Sequence, residues 1–131
     1  MDAVKKVNIV ELDRDTVEKD SSFPEALAFY IRLSDVPGSV WTEIFVSEYE
    51  QAWFNLEREV SVRGDRIRVV TAPGEEQAHI NFIKQLVEQT NTKVEEYNKE
   101  IEREAHMARR EQSAQAEMVE QAKERLRKVS L

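Results

Sequence analysis

Between residue 75 and residue 131 the chain has neither a glycine nor a proline, and the apolar residues along that stretch narrow from a broad face to a thin line. A helix runs uninterrupted where nothing removes its backbone hydrogen bonds or loosens its φ angles, so this stretch predicts one very long helix or two in series. Pro73 near the first helical position supplies the helical φ, and Glu75 and Glu76 in the first turn face the positive end of the helix dipole. On a helical wheel Ala78, Ile80, Phe82, Ile83, Leu86 and Val87 cover an arc wide enough to lie on a sheet.

Beyond Gln89 the stripe falls to about one residue per turn, through Thr90, Val94, Tyr97, Ile101, Ala105, Ala108, Gln112, Gln115, Val119, Ala122, Leu126 and Val129. The spacing is heptad-like except for a four-residue insertion between Ile101 and Ala105, a stutter that locally unwinds a left-handed supercoil. From Ala105 to Gln115 the seam holds no large aliphatic residue, so a coiled coil there is loose or closely packed through alanines. A seam this narrow has too little apolar area to hold a helix alone and asks for a second one. The candidate interaction residues are therefore Val94, Tyr97, Ile101, Ala105, Ala108, Val119, Ala122 and Leu126, and the expected partner is another copy of the chain or a helix of a different protein. The expected organisation is a small domain over residues 1–89 and a helical extension over 90–131. Thr92 to Glu95 also reads as a capping box that would start a second helix; without a break the helix reaches about 85 Å at 1.5 Å per residue.

The first half of the chain alternates differently. KVNIVEL, residues 6–12, is β-branched but unclear in phase, as expected of a strand buried on both faces. The polar stretch DRDTVEKDSSFPE follows as a connection. In ALAFYIRL, Leu27, Phe29, Ile31 and Leu33 fall on one face and Ala28, Tyr30 and Arg32 on the other, the pattern of a half-buried strand. Trp41, Phe45, Tyr49 and Trp53 recur every four residues, placing a helix over roughly Ser39 to Glu57. Rings at this spacing beside a sheet are more often core than a ligand platform.

VSVRGDRIRVV contains Arg-Gly-Asp, a tripeptide that can dock on cell-surface receptors, but pairing geometry accounts for it as a hairpin tip. With Gly64 and Asp65 as loop residues, Val62 lies opposite Ile67, Val60 opposite Val69 and Ser61 opposite Arg68, and Gly64 supplies the positive φ. Arg63 and Arg66 then face each other, a mild repulsion that Asp65 is placed to relieve. The order strand, strand, helix, strand, strand, long helix predicts an α+β fold with a small antiparallel sheet covered by helices on one face.

A chain of 131 residues with 40% hydrophobic and 34% charged residues fits one folded domain with an extension. Its formal net charge of -7 disfavours broad phosphate-backbone binding. The absence of cysteine excludes disulfides and thiolate chemistry, and no run of about 20 apolar residues is present, so the expectation is a cytoplasmic protein outside the membrane.

No phosphate loop, nucleophile elbow or paired histidine motif occurs, and no cofactor or metal is expected. The acidic pairs Asp13/Asp15, Glu57/Glu59 and Glu75/Glu76 carry little information among 26 carboxylates. His79 projects into the apolar arc, and together with Trp41, Tyr49 and Trp53 it defines a candidate pocket; a core histidine with one hydrogen-bond partner is the simpler account. His106 is expected on solvated surface. Three functions compete. The leading one is a non-catalytic assembly or adaptor module acting through the C-terminal helix. The second is a small-molecule-binding domain or enzyme using the His79 pocket, and the third is nucleic-acid binding through Lys123, Arg125, Arg127 and Lys128, which the overall charge disfavours.

Overall fold

A computed structural model of the chain describes residues 3–52 and 59–130. Four strands, β1 (Ile9–Lys19), β2 (Leu27–Leu33), β3 (Val60–Arg63) and β4 (Arg66–Thr71), and two helices, α1 (Ser39–Gln51) and α2 (Glu76–Arg127), build an α+β fold. The sheet is antiparallel throughout, in the order β1-β2-β4-β3. Both helices lie on one face, and the core between them and the sheet is formed by Phe29, Ile31 and Leu33 of β2, Ile67 and Val69 of β4, Trp41 and Phe45 of α1, and Ile83, Leu86 and Val87 of α2.

The β3–β4 hairpin has the expected register, with Val60 opposite Val69, Ser61 opposite Arg68 and Val62 opposite Ile67. Gly64 sits at φ 61°, a region that costs an L-residue about 1–2 kcal/mol. Gly64→Ala is accordingly expected to lower stability by about 1 kcal/mol, read as a shift in the urea midpoint at unchanged slope. The facing arginines are relieved differently from expectation. Arg66 places its guanidinium 4.2 Å from the centre of the Tyr30 ring and 4.0 Å from the Asp13 carboxylate, and Asp65 instead offers its backbone carbonyl to the Leu33 N–H at 2.7 Å. The Arg-Gly-Asp turn is thereby tied to β2.

β1 departs from the sequence reading twice. It continues through the polar stretch to Lys19, because as an edge strand it needs only β2 as a partner and its outer groups face water. A register shift between Asp13 and Val17 absorbs three residues, held by Asp13 Oδ1 accepting the N–H groups of Asp15 at 3.0 Å and Thr16 at 3.2 Å. Nor is the stretch at residues 6–12 buried on both faces: Val7 is enclosed, but Val10 is 51% exposed.

β2, by contrast, is more buried than its alternation implies. Ala28 and Tyr30, on the face away from the helices, are enclosed by a satellite cluster of Ala26, Val70 and Phe23 and by charged side chains, leaving Arg32 exposed. Tyr30 donates its hydroxyl proton to Glu18, and Arg68 pairs with Asp20 at 2.9 Å. Hydrogen bonds from the Ser22 hydroxyl, from Arg68 and from the Ser22 backbone N–H hold the Asp20 carboxyl well down, at about 2. A carboxylate depressed in the folded state stabilises the fold above its unfolded pKa, near 4, and loses that contribution as pH falls from about 4 to about 2. Asp20→Asn is thus expected to be less stable than the parent at pH 7 and to lose less between pH 4 and pH 2, measured by urea midpoints across that range.

α2 is one continuous helix of 52 residues, about 78 Å long at 1.5 Å per residue, without a break at Thr90 to Thr92. The Thr92 hydroxyl that suggested a cap instead bonds back along the helix to the Glu88 carbonyl at 3.1 Å, as that of Thr90 does to the Leu86 carbonyl at 2.7 Å.

Candidate functional site

Of the expected pocket residues, the three that are described, Trp41, Tyr49 and His79, do not gather around one space. Trp41 is fully buried, stacked on Phe45 with ring centres 5.3 Å apart, and its indole N–H donates to Asn91 Oδ1 at 2.9 Å. Asn91 stands about 18 Å further along α2 than His79, at 1.5 Å per residue. Tyr49, at the other end of α1, packs against Phe82, and burial raises its phenol pKa. Trp53 lies outside the described residues. His79 itself is 1% exposed, with Nδ1 2.8 Å from the Thr71 hydroxyl, the arrangement of a core histidine joining the start of α2 to the end of β4. A cleft of about 430 Å³ between the C-terminal end of α1 and the side of α2 is lined by Glu48, Ala52, Phe82, Leu86 and Gln89, and a groove of about 690 Å³ between β1 and α2 by Ile9, Leu12, Ile31, Ile80 and Lys84; His79 reaches neither. The aromatic stripe of α1 is core where it is described.

The long seam divides into two chemically different parts. Val94 is fully buried, and Thr90 beside it likewise, so Val94 belongs to the core and not to a free interaction surface. What covers it is the start of the chain. Residues 4–8 run extended along α2, held by two asparagines seven positions apart. Asn98 accepts the Val4 N–H at 2.7 Å and donates to the Val4 carbonyl at 2.9 Å. Asn91 repeats the pattern on Val7, accepting its N–H at 3.2 Å and donating to its carbonyl at 2.8 Å. Seven residues make almost two helical turns and bring both amides to the same face, matching the rise of the extended segment between Val4 and Val7. Lys6 pairs with Glu95, whose carboxyl is held below its usual range by that bond. The domain's contacts consequently run past Gln89 to Asn98, beyond the division at residues 89 and 90 suggested by the stripe width. The sequence signal was present in the spacing of Asn91 and Asn98 around Val94, two amides beside the stripe and seven residues apart.

Past this clamp the helix leaves the domain. Tyr97 and Ile101 are half-buried, and every residue from Glu102 to Gln121 is exposed, including Ala105 and Ala108. Val119 is 53% and Leu126 69% exposed, with Met107 and Met118 above half as well; Ala122 is half-buried. The projecting part, Glu102 to Arg127, reaches roughly 39 Å from the domain. Ion pairs three residues apart, Glu100–Arg103, Glu120–Lys123 and Glu124–Arg127, support it along its length, each worth a few tenths of a kcal/mol. His106 lies on this exposed stretch. The basic residues Arg125 and Arg127 occupy the last turn, where cations oppose the helix dipole. Among the described residues no helix is long and apolar enough to cross a membrane. No protein-family model, curated protein or solved structure gives a significant match to this chain.

Proposed function

We propose that this protein is a non-catalytic interaction module: the sheet and α1 anchor one end of α2, and the projecting end is the element that engages another helix. One observation carries the reading. From Ala105 to Leu126 the helix keeps a regularly spaced line of alanines and aliphatic residues, interrupted by Gln112 and Gln115, on a stretch that is exposed apart from half-buried Ala122. An isolated helix of this length is marginal in water even with favourable ion pairs, because most helical stability in proteins comes from packing an apolar stripe. Burying Ile101, Val119 and Leu126 against a second helix supplies that packing.

The test compares the full chain with one ending at Arg103, using light scattering for mass and circular dichroism for helicity. Because the core ends near Asn98, the shorter chain is expected to remain folded and monomeric, while the full chain is expected to associate, or to gain helicity when its partner helix is added. A full chain that stays monomeric at high concentration while its tail is already fully helical would overturn the reading, since such a helix has no need of a partner.

A further inference from the structure

Resting on that reading, we infer that the partner of the projecting helix is a second copy of this chain, and that the two helices run antiparallel in one register. From Ile101 onward the seam is continuous heptad spacing, and reversing one helix about a two-fold axis between Ser113 and Ala114 matches it layer for layer. Ile101 then meets Leu126 of the other copy, Ala105 meets Ala122, Ala108 meets Val119, and Gln112 meets Gln115. The largest seam residues close the ends, the alanine layers allow the helices to approach closely, and the central glutamines pair amide to amide.

Charge selects this orientation. The helix near the domain, residues 95–104, carries five acidic and two basic side chains, net -3, whereas residues 123–131 carry four basic and one acidic, net +3. Parallel association sets like ends together. Antiparallel association sets each acidic end against the other copy's basic end and, beside the seam, brings Glu102 to Lys123 and Glu104 to Arg125 twice over by symmetry. In the same register Arg109 faces Ala116 and Glu111 faces Met118, so no like charges oppose each other at these flanking positions. The parallel alternative offers only Glu104 to Arg109, also twice. Exposed pairs of this kind contribute little affinity singly but determine which orientation is adopted. The antiparallel arrangement also holds the two acidic domains at opposite ends of the bundle.

Because the chain has no cysteine, introduced thiols report the register without background. Full-length Ile101→Cys and Leu126→Cys chains are oxidised mildly, each alone and as an equal mixture, and bridged species are read on a non-reducing gel; Ala105→Cys with Ala122→Cys serves as a second pair away from the domain. The expected result is efficient bridging in both mixtures and little in any single variant. Faster bridging of Leu126→Cys with itself, or an associated chain that bridges in no mixture, overturns the antiparallel register and leaves self-association standing. An unmodified chain with the 15.3 kDa mass of one copy at the same concentration removes self-association as well. As a check on charge, reversing Glu102 and Glu104 to lysine is expected to weaken the dimer about sixteenfold, four exposed pairs at about a factor of two each. Adding Lys123→Glu and Arg125→Glu is expected to restore it; failure of that rescue counts against the orientation.

Discussion

Val94→Asp is expected to destabilise the domain by about 4 kcal/mol or more, while Val119→Asp leaves the domain's unfolding midpoint within about 0.5 kcal/mol of the parent. The two valines occupy the same seam of the same helix and differ in what surrounds them. Val94 is fully buried with Val7, Trp41 and Leu86 in the core, so an aspartate there is either an uncompensated buried charge or a neutral acid stripped of water, and the valine packing is lost in both cases. Val119 is 53% exposed, on the stretch of α2 that projects beyond the core. Its replacement is expected to act on mass in solution, shifting the chain toward monomer. Urea titrations followed by tryptophan fluorescence, with light scattering on the same samples, separate the effects. Equal midpoints for the two variants would mean that Val94 is not enclosed as described.

That contrast also marks where the sequence stops being legible. The apolar stripe of α2 reports that a face is covered, but a period in the sequence does not say by what. Ile83, Leu86 and Val87 form an arc broad enough to announce a sheet. Val94 shows the same one-per-turn spacing as Val119 because an extended segment is as narrow a cover as a helix. The seam thus joined two different surfaces into one line. The hairpin was readable in detail because its register depends on two loop residues and a strict alternation, both local. β1 was cut short because an edge strand with one solvated face tolerates Asp, Arg and Glu, and its pairing partner, not its own composition, decides that it is a strand. Similarly, Ala28 and Tyr30 are buried on the outer face of β2 by Phe23 and by residues of β1 and β4, contacts across the sheet that alternation within one strand does not contain. Within the candidate pocket, Trp41 and His79 stand apart for a geometric reason. α1 lies against α2 with Trp41 near Asn91 and Tyr49 near Phe82, and this direction carries Trp41 away from His79.

Replacing Asn91 by alanine is expected to cost about 3–4 kcal/mol, several times the effect of the same change at Asn98. Both amides grip a backbone N–H and carbonyl of the first strand-like segment, but Asn91 alone also receives the indole N–H of Trp41, a side chain with no exposed surface. Truncation leaves the indole donor of fully buried Trp41 and the peptide group of Val7, a residue 1% exposed, without their partner at the edge of the core. A buried donor or acceptor deprived of its partner costs about 1–3 kcal/mol, so two or three such groups bring the total to the stated range after allowance for relaxation. At Asn98 the bonded residue is Val4, which is only partly buried, and water can replace the lost amide there. Asn91→Asp discriminates further. It keeps the acceptor for Trp41 and Val7 but loses the donor to the Val7 carbonyl, so its cost is expected to fall between those of the parent and Asn91→Ala near neutral pH. Amide hydrogen exchange supplies the local readout: in Asn98→Ala the protection at Val4 is expected to disappear while that at Val7 persists, whereas in Asn91→Ala both are lost together with protection around Val94. The opposite order, with Asn98 the costlier position, would place the anchor of the N-terminal segment at its start and not at Trp41.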